Sequence, residues 1–152
     1  MLSTADLALY DRSGRLTAIA EVKNKLGTSR EWAAQTRRNL LAHGRAYSAD
    51  FFLLVTPDRL YVWKGAGAQP VKAPPTYEAD TGPGFAPYFE SAGVDPSYVS
   101  GHAFELLVGA WLSDVIRSEE MTGEFCDDQN WLAKSGFRSA VKGGHIEYEA
   151  VV

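Results

Sequence analysis

Residues 16–23, Leu-Thr-Ala-Ile-Ala-Glu-Val-Lys, form a run of β-branched and small apolar residues until its last three positions, the composition of a strand. Side chains along a strand alternate between its two faces. Ile19, Glu21 and Lys23 therefore share one face, and Ala18, Ala20 and Val22 the other. A carboxylate and an ammonium stand side by side at the end of an apolar element. Burying either charge is costly unless it is paired or holds a metal. A strand built this way either stops where solvent begins or has a chemical task.

Its neighbours narrow the fold. Residues 6–10, Asp-Leu-Ala-Leu-Tyr, read as an earlier strand, and Asp11-Arg12-Ser13-Gly14 as the turn between the two. The hairpin brings Asp6 towards Glu21, since antiparallel neighbours lie roughly 5 Å apart. After Lys23, Thr28 and Glu31 have capping-box spacing. A helix is expected from there to about His43, with Gly44 as its stop. Phe51–Val55 is an unbroken apolar run, expected as a strand covered on both faces. Leu60–Trp63 is a further strand, hinged at Thr56-Pro57-Asp58.

In this order of elements, an Asp followed some fifteen residues later by Glu-x-Lys resembles the PD-(D/E)XK nuclease superfamily, whose fold is restriction-endonuclease-like. The resemblance covers Asp6 to Trp63. It implies that Asp6 is the first motif acid, Glu21 the second and Lys23 the lysine. Gln35 falls where several branches of the family carry a glutamine near the active site. It also implies an Mg²⁺ or Mn²⁺ ion held by Asp6, Glu21 and the carbonyl of Val22, with DNA as substrate. The residue before Asp6 is Ala5, where the family usually has proline, and only five residues precede Asp6, where the family has a helix and a strand. Either the chain is a piece of a longer nuclease or another segment fills that place. The helix expected near Gly101–Glu119 is the obvious substitute and brings in Glu105, although an exposed helix glutamate is the ordinary reading of that residue.

The chemistry accounts for these residue types. Hydrolysing a phosphodiester requires an activated water and neutralisation of the leaving oxygen. Hard divalent cations serve both needs and bind through carboxylates plus retained waters. Asp6 and Glu21 on adjacent strands suit such open coordination. Lys23 can orient or deprotonate the water or stabilise charge on the phosphate. A solvated Glu–Lys pair at a strand end is the plain alternative.

At 100° per residue, Arg30, Arg37 and Arg38 fall within about 100° on the first helix. They form an expected basic face for a nucleic-acid backbone, with Trp32, Ala33, Thr36 and Leu40 turned to the core. The net charge of −4 does not suit a protein that grips nucleic acid through overall charge. No aromatic residues interleave these arginines, so base stacking is not indicated.

The 152 residues suit one domain. Within it, residues 1–65 are the nuclease-like core, 66–97 a Pro/Gly-rich connector that wraps without regular elements, and 98–152 a C-terminal helix and strand extension. The 45% hydrophobic and 22% charged content is that of a soluble globular protein. No apolar run approaches the roughly 20 residues that span a bilayer, so no membrane partner is expected. The single cysteine, Cys126, excludes an internal disulfide and fits the cytoplasm. Phe104, Leu107, Val108, Trp111, Leu112, Val115 and Ile116 recur at helical spacing, as a core stripe or, less simply, a homodimer face. Residues 130–136 suggest a short helix. The tail from Ile146 alternates as a strand, with Glu147 and Glu149 expected together on a solvated edge. His43, His102 and His145 have no ligand partner at readable spacing. The expectation is therefore an α/β, restriction-endonuclease-like mixed sheet flanked by helices. Its function is metal-dependent DNA hydrolysis, or binding alone on a degenerate nuclease fold.

Overall fold

The computed structural model describes residues 4–43, 49–117 and 131–152. Gly44, Cys126, Asn130 and the expected helix end at Glu119 lie outside them. In chain order come β1 (Thr4–Tyr10), β2 (Leu16–Val22), α1 (Arg30–Ala42), β3 (Phe51–Val55), β4 (Arg59–Lys64), β5 (Tyr77–Asp80) and α2 (Gly82–Ala92). They are followed by α3 (Gly101–Arg117), α4 (Trp131–Lys134), α5 (Phe137–Val141) and β6 (His145–Val151). The strands make one sheet in the order β5-β4-β3-β2-β1-β6. β2 and β3 are parallel, with α1 as their crossover, and every other neighbouring pair is antiparallel. The fold is α/β, a mixed sheet with helices on both faces.

The alternation along β2 sets up the two layers. Ala18 and Ala20 join Leu7, Leu9, Leu53, Val55, Leu60 and Val62 on one face, under Phe85 and Phe89 of α2 and the α3 stripe from Phe104 to Ile116. Phe137 and Val141 of α5 close the same core. On the other face Phe52, Leu54, Tyr61 and Trp63 pack with Ala33 of α1. Phe51–Val55 is buried at every position, as a strand covered on both sides must be. Burying each such side chain contributes roughly 1.5–3 kcal/mol, so the two cores hold the sheet from both sides. The α3 stripe is consumed within the chain. Among the described residues no helix is long and apolar enough to cross a membrane.

Three local expectations are corrected. The N-cap of α1 is Ser29, whose Oγ accepts from Trp32 N–H at 3.1 Å. Thr28 instead shares a 2.8 Å hydrogen bond with the Tyr61 hydroxyl. The connector is not irregular throughout. It contains β5 and then α2, which has proline in its first turn, where the missing N–H costs nothing. Arg37 lies on the core side of α1, not on an exposed basic face, and is 1% exposed. Its guanidinium sits 5.7 Å from the Phe52 ring centroid and 5.5 Å from that of Trp63, and Nη2 donates to Gly67 O at 2.8 Å. The long stem and planar head of arginine suit a slot between aromatic faces. Glu147 and Glu149 are both exposed on β6, which is an edge strand as expected, and Glu149 has φ +49°.

Three contacts fix how the later elements sit against the sheet and one another. Asn24, just beyond β2, donates its side-chain amide to Val99 O. It thereby ties the exit of β2 to the entry of α3, where Ser100 Oγ accepts from Ala103 N–H at 3.1 Å. In mid-α3, Gly109 leaves room for Tyr148 of β6; a Cβ there would lie 1.9 Å from the tyrosine oxygen. At the start of β6 a Cβ on Gly144 would lie 1.8 Å from Tyr10 O. Only glycine permits that approach, and the approach holds β6 in register on β1.

Candidate metal centre

The β1–β2 ladder is paired from Tyr10↔Leu16 to Leu7↔Ala20. One step further stand Asp6 and Glu21, and there a side chain enters the strand pairing. Asp6 Oδ2 accepts from Val22 N–H at 2.8 Å. A carboxylate used in this way is oriented and held at the end of β2, next to the Glu-x-Lys segment.

From the other side, two further acids converge on it. One carboxylate oxygen from each of Asp6, Glu105 and Glu149 lies within 4.8 Å of the other two. Asp6 and Glu149 come together through the β1–β6 pairing, in which Ala5 faces Ala150 and Leu7 faces Tyr148. The left-handed backbone at Glu149 is a conformation that costs a non-glycine residue of order 1 kcal/mol. Glu105 comes down from the second turn of α3 and is only 9% exposed.

Three carboxylates this close repel one another, and the burial of Glu105 adds a desolvation cost. Desolvation first, then the charge of Glu149 and that of Asp6, push the Glu105 carboxyl up to about 7. Glu105 Oε1 has no hydrogen-bond partner among the described residues. The polar neighbour of that side chain is a second carboxylate, Glu149, and two carboxylates bond only if a proton lies between them. A buried, unpaired acceptor costs about 1–3 kcal/mol. A cation among the three acids removes the repulsion and supplies that partner. All-oxygen donors, one buried and two accessible, fit a hard divalent ion that keeps some of its waters.

The remaining expected site residues are placed as follows. Glu21 is buried, at 1% exposure, and is not in the three-acid group. The Val22 amide is what meets Asp6. Lys23 is half-buried and lines a groove with Thr36, Asn39, Leu40 and His43. Gln35 donates to Asn39 Oδ1 at 2.9 Å along its own helix. Arg30 is paired with Glu78 at 3.0 Å, and Arg38 is exposed, with Nη1 3.2 Å from Asn39 Oδ1. Of the three arginines expected to follow a nucleic-acid backbone, Arg37 is therefore inaccessible and Arg30 is partly neutralised.

A signal for Glu105 exists in the sequence, because it precedes Leu112 by seven residues and Ile116 by eleven. At 100° per residue both spacings bring it onto the edge of the buried stripe. Glu149 carries no such signal, since its placement depends on a positive φ that glutamate rarely adopts. No protein-family model, curated protein or solved structure matches this chain.

Proposed function

We propose that the chain is a metal-dependent hydrolase of nucleic-acid phosphodiesters, of the PD-(D/E)XK kind, acting on DNA in the cytoplasm. The observation that carries this reading is the position of Asp6. One of its oxygens is fixed by the backbone of the Glu21-Val22-Lys23 segment, and its carboxylate converges with Glu105 and Glu149. A second observation supports it. β6 extends the sheet beyond β1, and α3 packs on the neighbouring face. In this reading β6 and α3 stand in for the strand and helix that the resemblance requires beside Asp6, and α3 carries Glu105.

In this reading Asp6, Glu105 and Glu149 hold Mg²⁺ or Mn²⁺. Such an ion supplies Lewis acidity towards a phosphoryl oxygen and lowers the pKa of a bound water. Asp6, restrained by Val22 N–H, fixes the centre relative to β2. Lys23 follows on the same segment and positions the attacking water or the phosphate. Glu21, buried where β2 ends, supports that segment from the α1 side. The water oxygen bonds to phosphorus, the bond to the leaving sugar oxygen breaks, and that oxygen takes up a proton.

The test is cleavage of labelled DNA in Mg²⁺ by wild type and Lys23→Ala. Loss of one positioned proton-transfer group lowers a rate by roughly a hundredfold to ten-thousandfold. Lys23→Ala is expected to lose activity on that scale while binding Mn²⁺ as wild type does. A folded wild-type chain that binds Mn²⁺ but cleaves neither DNA nor RNA would overturn the hydrolase reading.

A further inference from the structure

Two exposed large apolar side chains stand on the loops that follow β2 and precede α3, the strand and helix next to the proposed metal centre. Tyr98 is 85% exposed, and Leu26 is 47% exposed. Tyr98 immediately precedes Val99, whose carbonyl accepts from Asn24, and Leu26 follows Asn24 by two residues. The Asn24–Val99 bond therefore holds the two loops together. Both lead to the centre. Lys23 and Asn24 are consecutive, and Glu105 lies five residues after Ser100, on the order of 8 Å along the helix axis.

The mounting is firm although the ring is free. Tyr98 N–H donates to Asp95 O at 3.0 Å, and Ser97 N–H donates to Asp95 Oδ1 at 2.8 Å. On the facing loop the Lys25 ammonium rests 5.5 Å from the centroid of the Trp32 ring, which keeps a cation beside Leu26. The result is an aromatic face in solvent on one loop, and an apolar shoulder with the cations Lys23 and Lys25 on the other, the two tied by the Asn24–Val99 bond.

We infer that Tyr98 and Leu26 form a platform on which an unpaired nucleobase of the substrate stacks, so that the chain takes single-stranded or locally unpaired nucleic acid. The inference rests on the phosphodiesterase reading and specifies its substrate class. A base buried inside a duplex cannot offer its face to a side chain, whereas a single strand offers one at every nucleotide, whatever its sequence. Lys23 and Lys25 then meet the adjoining phosphates and Asp6, Glu105 and Glu149 the metal.

The experiment measures binding of fluorescein-labelled oligo-dT, and of a duplex as control, to the full chain with Ca²⁺ present. Stacking on an aromatic side chain is worth roughly a fivefold to hundredfold change in Kd. Tyr98→Ala is expected to weaken oligo-dT binding on that scale and Tyr98→Phe to retain it, with duplex affinity and Mn²⁺ binding unchanged in both. Wild-type affinity for oligo-dT in Tyr98→Ala would overturn the platform and leave the phosphodiesterase reading standing. Failure of the wild type to bind either nucleic acid would overturn both. If Tyr98→Ala instead converts a dimer to monomers in sedimentation, with oligo-dT binding intact, the ring serves a second copy of the chain and the inference is wrong.

Discussion

Replacing Glu105 with glutamine should make the metal-free protein more stable at neutral and alkaline pH. The Glu105 carboxyl stands at about 7 in the folded chain against an ordinary 4.5. A raised carboxyl means that the folded state holds its proton between pH 4.5 and 7 while the unfolded state has released it. Stability therefore falls as pH rises through that window, and the loss is complete above it. The difference of 2.5 units, at 1.36 kcal/mol per unit, sets an upper bound of about 3 kcal/mol. Exposure of Glu149 and screening by salt bring the expected effect to roughly 1–3 kcal/mol. Glutamine fills the same space without the charge, so the Glu105→Gln advantage should be small near pH 4.5 and reach its full size near pH 8. For a chain of this size that is a rise in Tm of about 3–10 °C, read by thermal unfolding in EDTA across a pH series. Mn²⁺ should reverse the order, because an ion that binds only the folded wild type stabilises it by mass action. A Glu105→Gln protein less stable than wild type at pH 8 without metal would refute the claim that the three acids repel one another in the free protein.

Other perturbations test the frame around the centre. Arg37→Ala empties the slot between Phe52 and Trp63 and removes the bond to Gly67 O. It should cost about 3 kcal/mol or more in chemical denaturation without the salt-dependent loss of nucleic-acid affinity expected of a surface arginine. Gly144→Ala drives a methyl group into Tyr10 O and should cost about 1–3 kcal/mol, with Mn²⁺ affinity reduced as β6 shifts Glu149 away from Asp6. Glu149→Gly relieves a left-handed backbone and removes a negative charge. It should therefore raise metal-free stability by about 1 kcal/mol while weakening Mn²⁺ binding in calorimetry.

The hairpin, the first helix and the paired central strands could be read from the sequence because each is a local pattern. Alternation runs through 16–23, a turn precedes it at 11–14, and residues 51–55 are wholly apolar. The centre was half legible. Asp6 announced itself through its distance from Glu21-x-Lys23, and Glu105 was named only as the glutamate of a possible substitute helix. Glu149 was read as one of two solvated edge acids, since nothing in Glu147-Tyr148-Glu149 signals a positive φ. Arg37 was misassigned because helical angles were drawn around Trp32 and Leu40. The buried line in fact runs through Ala33, Ala34, Arg37 and Leu41, where aromatic rings from β3 and β4 accept a guanidinium that hydropathy alone would turn outward. The pairing of β6 with β1 joins opposite ends of the chain, and no short-range pattern encodes it.

The central claim is that Asp6, Glu105 and Glu149 together hold a divalent cation, and calorimetric titration of Mn²⁺ into the wild-type chain tests it most directly. The account predicts saturable binding by wild type that is lost in Asp6→Asn and strongly weakened in Glu105→Gln and Glu149→Gln, each folded by circular dichroism. Binding that survives unchanged in both glutamate variants, or a folded wild type that binds no Mn²⁺, would contradict it.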